Sequence, residues 1–277
     1  MQSLKDELKK LDLEAIRRRA NSHSSTNVTD AVEPKQYRCK HCKDELGWIK
    51  RVQLSDKPFD YMDKWEDCPC ARDRAIERLM KSSQISEKFR KKTLSNFVTD
   101  GAAAIVKEAY QAAVEYIESY AEIKETPQNS MALLGQSGAG KTHLLMGVSN
   151  HLIKKGIGVF YFPYIEGFSE LKDNLDTAGT RLQKLKMAEV LFIDDLFKGG
   201  KKDKHTGIKM PSDWEVEKMI EVINHRYLEQ KPTLISSERD IAFLCDVDEA
   251  LGGRINEMCK DYMVIIEGGM ELNQRFL

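Results

Sequence analysis

No stretch of this sequence is apolar for long enough to cross a membrane; its longest apolar runs fall far short of the roughly 20 residues a spanning helix needs. Charge of one sign is missing too. Lysine and arginine number 43, aspartate and glutamate 44, and the formal net charge is -1. There is no global basic field for nucleic acid, so any such contact must be local. The opening M-Q-S-L-K-D-E-L-K-K has no hydrophobic signal region. The expectation is a soluble, cytoplasmic protein without a membrane partner. Cysteine is sparse. Six in 277 residues are too few for a disulfide scaffold, but four fall in two close pairs, which points to metal. What remains is ample: 41% apolar residues suffice for a real core, and the length suits one large domain plus a small one.

The most informative stretch is Ser130–Thr142, S-M-A-L-L-G-Q-S-G-A-G-K-T. Met131–Leu134 reads as a buried strand, and Gly135 through Gly140-Lys141-Thr142 completes the pattern G-x-x-x-x-G-K-[ST]. Glycines at Gly135, Gly138 and Gly140 let the backbone turn several N–H groups toward one anion. His143–Lys155 reads as a helix whose N-terminus faces the same anion. Lys141 places a charge at the β- and γ-phosphates, and Thr142 offers its hydroxyl to Mg²⁺. Downstream, Val190–Asp195 is an apolar strand ending in two acids. Asp194 is the Mg²⁺ partner and Asp195 is a candidate for orienting the attacking water.

The cysteine pairs are Cys39 and Cys42, then, after 25 intervening residues, Cys68 and Cys70. Two tight pairs around a strand-rich stretch are zinc-ribbon logic, each pair giving two thiolates to one tetrahedral Zn²⁺. The second pair is C-x-C rather than C-x-x-C, and His41 is an alternative ligand. Pro69 favours an ordered turn. A module this small lacks the apolar core to fold alone, so metal would supply the missing stability.

Elsewhere, residues 2–20 read as an amphipathic helix and 21–36 as a polar linker. Ala71–Met80 reads as a helix, and residues 86–97 mix basic and aromatic side chains. Gly101–Ile123 reads as a helix, Val159–Phe162 as a strand, and residues 164–186 as helices broken near Gly179. Residues 197–212 read as a mobile, solvated lysine- and glycine-rich loop. Its Lys198, Lys201, Lys202 and Lys204, with Lys172, Arg181 and Lys184 as a second set, are candidate contacts to single-stranded DNA. Helix 213–229, strand 233–237, helix 246–259 and strand 262–266 complete an alternation that means a parallel sheet with helices on both faces.

In order, G-Q-S-G-A-G-K-T, V-L-F-I-D-D-L-F, I-N-H-R-Y-L-E-Q-K-P-T-L-I-S-S-E-R, D-E-A-L-G-G-R-I and the terminal L-N-Q-R resemble the DnaC-type helicase loaders of the AAA+ class, in the phage and Gram-positive form with an N-terminal zinc module. The resemblance covers about residues 66–277. It implies a five-stranded P-loop α/β domain without a C-terminal lid, and an ATPase using ATP and Mg²⁺. Its partners would be a replicative hexameric helicase, single-stranded DNA and further copies of the chain joined through their ATP sites. The domains would be 1–37, helix and linker; 38–72, zinc module; 73–98, basic linker; and 99–277, AAA+ ATPase. By the same resemblance Ser237 stands at the sensor-1 position, with Glu238 where asparagine is usual. Arg254 matches the arginine finger that reaches a neighbour's ATP, and Arg275 the sensor-2 arginine. Asp195 replaces the commoner glutamate, which implies slow turnover. The insertion-sequence helper ATPases and the DnaA initiators share much of the pattern and give the alternative function, transposition helper or DnaA-like DNA-binding ATPase.

Overall fold

The computed structural model describes residues 36–274 except 56, 58, 203–206 and 208. The helix read over 2–20, residues 21–35 of the linker after it, Lys204 and Arg275 lie outside the described residues. The chain divides after Trp65 into two compact units. Strands β1 (Gly47–Gln53) and β2 (Tyr61–Asp67) form a two-stranded sheet that follows the first cysteine pair. Helix α1 (Pro69–Ser82) comes next, with Pro69 in its first turn, where a missing N–H costs nothing. The short α2 (Glu87–Arg90) and a 3₁₀ turn at Leu94–Asn96 lead to α3 (Ala104–Ile123).

The large unit is built on β3 (Met131–Gly135), β4 (Val159–Pro163), β5 (Val190–Asp194), β8 (Thr233–Ser236) and β9 (Met263–Ile266). Their pairing is parallel and their order across the sheet is β4-β5-β8-β3-β9. Alternation along the strands serves both faces. Leu133, Tyr161, Phe192 and Leu234 enter one core with Val106, Ala113, Leu144 and Leu145. Ala132, Leu134, Phe162, Ile193 and Ile235 enter the other with Phe168, Leu182, Val222 and Ile255. The strands are apolar throughout because both faces are covered.

Helix α4 (Lys141–Lys154) follows β3, α5 (Tyr164–Asp173) and α6 (Leu175–Met187) follow β4, and α7 (Asp213–Leu228) precedes β8. Three local expectations are corrected. The break in 164–186 is at Asn174 (φ -133°, ψ 65°), and Gly179 lies inside α6. Residues 246–259 are not one helix: α8 (Ile241–Val247) and α9 (Glu249–Met258) meet at extended Asp248, whose carboxylate caps α9 through the Leu251 N–H at 2.7 Å. The loop at 197–212 contains a small antiparallel hairpin, β6 (Lys201–Lys202) with β7 (Lys209–Met210).

Candidate nucleotide site

A cavity of about 510 Å³ opens at the carboxyl ends of β3 and β5, the ligand edge of an open parallel sheet. Its floor is the glycine-rich turn. Gly140 holds φ 92° as the residue capping α4, and a Cβ there would meet the Phe97 ring at 2.6 Å. A Cβ at Gly138 (φ 82°) would collide with the Asn273 side chain, and the Gln274 N–H donates to the Gly138 carbonyl at 3.1 Å. Residues 273 and 274 therefore rest on the turn, and Gln274 lines the cavity. Gly135 ends β3 (φ 98°).

Lys141 is buried, and its ammonium donates to the Gly135 and Gln136 carbonyls, both at 2.7 Å. Burial lowers its pKa to about 8 against the pull of Glu238, Asp195 and Asp194. Asp194 is buried too and collects three hydroxyls. Thr142 donates to Oδ1 at 2.8 Å, Ser236 to the same oxygen, and Tyr161 to Oδ2 at 2.9 Å. Burial raises the Asp194 pKa, and the hydroxyl donors oppose that rise. Asp195 has φ 59°, and its N–H donates to the Ser236 hydroxyl at 2.8 Å. The arrangement places a threonine hydroxyl beside a carboxylate at the mouth of an anion cradle. Those donors fit Mg²⁺ held with a phosphate chain.

The sequence-predicted residues Gly138, Gly140, Lys141, Thr142, Asp194 and Asp195 all line this cavity. Ser237 does not: its hydroxyl is buried and donates to the Leu196 carbonyl at 2.7 Å, while Glu238 lines the cavity instead. Glu238 accepts from Ser137 at 2.6 Å. Burial works against its charge, but Ser137 and Lys198 outweigh it and hold the pKa low. Arg254 does not line the cavity; it lies on α9 with its guanidinium 5.8 Å from the Tyr227 ring centre. Lys198 belongs by sequence to the lysine-rich loop, yet it is turned into the cavity, 2.9 Å from both Asp195 and Glu238. Lys201, Lys202 and Lys209 are exposed on the hairpin. In the second set, Lys172 is paired with Glu215 and Arg181 with Glu170.

Sequence reasoning missed the Tyr161 hydroxyl and the basic-aromatic segment before α3. Lys88, Phe89 and Lys92 line the cavity. That segment is held by Asn150 of α4, whose amide donates to the Phe89 and Lys92 carbonyls at 2.9 and 2.7 Å. Its mixture of cations and rings was the only signal available.

A family model described as IstB-like ATP binding protein matches residues 66–244. The chain belongs to the IstB-like ATP-binding family. The chain is 43% identical to the phage-like element PBSX protein XkdC of Bacillus subtilis, over 87% of this chain and 86% of that one. It is 24% identical to the replicative helicase loader DnaI of the same organism, over 72% of this chain and 63% of DnaI. The crystal structure of the DnaC helicase loader superimposes with a TM-score of 0.53 at 21% identity, covering 66% of this chain and all of that chain; it shows the shared fold.

The cysteine cluster straddles the start of this IstB-like region, with Cys39 and Cys42 ahead of it and Cys68 and Cys70 within it. The sulfurs of Cys39, Cys42, Cys68 and Cys70 all lie within 4.8 Å of one another, and the six cysteines described form no disulfide. After Cys42 the chain reverses through Lys43 (φ 50°) and Asp44 (φ 72°), and the Asp44 carboxylate accepts from the Cys39 N–H at 2.8 Å. Tetrahedral Zn–S bonds of about 2.3 Å imply sulfurs about 3.8 Å apart, so the donor set fits Zn²⁺. His41 is turned edge-on to Trp48, 4.9 Å between ring centres, and is not part of the cluster.

Proposed function

We propose that the chain is a Mg²⁺-dependent ATPase that helps to place a replicative hexameric helicase on single-stranded DNA. The observation that carries the ATPase reading is the 2.8 Å bond from Thr142 to Asp194, which joins the phosphate-binding turn to the metal-binding acid. In the reaction, a water oxygen bonds to the γ-phosphorus while the bond to the β,γ-bridging oxygen breaks. The products are ADP and phosphate, and Asp195 orients the water and takes its proton. Lys141 and the N–H groups at the start of α4 hold the phosphates. Similarity to a replicative helicase loader supports the helicase part. The exposed Lys201, Lys202 and Lys209 are the surface offered to a DNA backbone, and the four cysteines hold one Zn²⁺.

The test is capture of a purified hexameric replicative helicase by the full chain with ATP and Mg²⁺, followed by transfer to single-stranded DNA. The family's IstB-like description favours a second reading, a transposition helper acting on duplex DNA. Capture of a transposase in place of the helicase would establish that reading.

A further inference from the structure

Lys198 is in an unusual position for a residue in a lysine-rich run. The chain turns back on itself just before it. Asp195 and Phe197 both have positive φ, 59° and 56°, and the Lys198 N–H donates to the Asp195 carbonyl at 3.0 Å. Phe197 anchors that turn, fully buried and edge-on to Tyr164 at 5.7 Å. The side chain of Lys198 is thereby delivered to the cavity that holds Lys141 and Thr142.

We propose that Lys198 is a γ-phosphate-binding residue through which the site distinguishes a nucleoside triphosphate from a diphosphate; the inference deepens the ATP reading above and rests on it. An ammonium has three donors. Two meet Asp195 Oδ2 and Glu238 Oε1, each at 2.9 Å, and the third remains for a phosphoryl oxygen. Glu238 in turn accepts from Ser137 of the phosphate-binding turn at 2.6 Å, so the ammonium is tied to that turn through one carboxylate. Three carboxylates, Asp194, Asp195 and Glu238, line the cavity with four lysines, and of these Lys141 and Lys198 are the two that interact with those acids, Lys88 and Lys92 belonging to the segment before α3. A γ-phosphoryl group entering beside three acids needs the second cation; a diphosphate ends one phosphoryl group short of it. Lys198 therefore acts on ATP and leaves ADP almost untouched. The same two ion pairs fix Asp195, the acid placed to orient water.

The test compares ADP with a non-hydrolysable ATP analogue, both with Mg²⁺, by titration calorimetry on the full chain. Lys198→Met is expected to weaken the analogue about tenfold or more, the scale of a lost charge-assisted hydrogen bond, and to change ADP affinity less than about twofold. Normal ADP binding also shows that the variant is folded. Lys198→Arg, which keeps charge and donors, should recover most of the preference. Equal losses for both nucleotides, or none, overturn the proposal. So does recovery of analogue binding when Glu238→Gln is added to Lys198→Met, because then the lysine acts only by cancelling a neighbouring carboxylate. A wild-type chain that binds neither nucleotide overturns the ATP reading itself, and this inference with it.

Discussion

The Tyr161 hydroxyl donates a 2.9 Å hydrogen bond to Asp194 Oδ2. The two residues sit on neighbouring strands whose register sets Tyr161 against Phe192 and Pro163 against Asp194. Burial, then the Asp194 charge, pushes the phenol pKa far up, so the group stays a donor at any working pH. Tyr161→Phe keeps the ring against Phe89 and Phe192 and removes only that donor. A hydrogen bond to a charged acceptor contributes roughly 1.5–3 kcal/mol. Mg²⁺-dependent turnover should fall about tenfold or more, read from ATP hydrolysis across a Mg²⁺ titration. An unchanged Mg²⁺ dependence would reduce Tyr161 to packing.

Lys141 predicts a pH signature. Burial brings its pKa from 10.5 to about 8. Between those values the unfolded chain binds more protons than the folded one at this site, so Lys141 makes stability rise with pH over that window. Phosphate reverses the shift by favouring the ammonium. ATP binding near pH 9 should therefore take up a proton, and affinity should fall as pH rises through 8. Calorimetry at pH 9 in two buffers of different ionisation enthalpy measures the uptake directly. Zero uptake would mean that Lys141 is already charged there. The charges acting on it are Glu238, Asp195 and Asp194, which raise its pKa, and Lys198, which lowers it.

The sheet was legible because each of its strands is a short apolar run, and Gly135–Thr142 named its own chemistry. Tyr161 was hidden inside the apolar run 159–162, where only the neighbouring strand shows what its hydroxyl faces. Lys198 sits in a charge run that reads as solvated surface, and nothing in the run announces the positive φ values at Asp195 and Phe197 that turn it inward. Arg226 reads as one more polar residue on a helix. In the fold it is fully buried and its guanidinium donates to the Thr233 hydroxyl and to the carbonyls of Leu185, Lys186, Ala188 and Pro232. The acceptors at the end of α6 are 38 to 41 residues away in sequence, while those at the entry to β8 are only six and seven residues on. The break at Asn174 escaped for a related reason. Phe168 and Leu171 on one side of it and Ala178 and Leu182 on the other enter the same core, so packing rather than Gly179 sets the bend.

The cysteines should separate into three classes toward a thiol reagent. Cys245 is half-buried and outside the cluster, so it should react first in the native protein. Cys39, Cys42, Cys68 and Cys70 should become reactive together when a chelator removes Zn²⁺, with the metal released in step. Cys259 is fully buried, and burial pushes its thiol pKa far up, so it should react only on unfolding. Four cluster thiols reacting as fast as Cys245 before chelation would exclude a bound metal.

Arg254 predicts a site completed between copies of the chain. It lies on α9 beside Tyr227 and lines no part of the cavity that holds Lys141, Thr142 and Asp194. Its α9 is capped at Asp248 and packs Leu251, Ile255 and Met258 into the core, so the helix cannot swing to its own nucleotide without opening that core. A charge supplied by a neighbour would neutralise the γ-phosphoryl oxygens as the bond breaks, an effect of about 10³–10⁵ in rate in other phosphoryl-transfer enzymes. ATPase activity per chain should therefore rise with protein concentration. Arg254→Ala should bind ATP normally yet lose hydrolysis. Lys141→Ala should fail earlier, at binding, because a buried charge partner of the phosphates is gone. Mixing the two inactive variants should restore part of the activity, since one interface in the mixture pairs an intact Lys141 with an intact Arg254. Turnover independent of concentration, with no recovery on mixing, would show instead that a single chain carries the whole site.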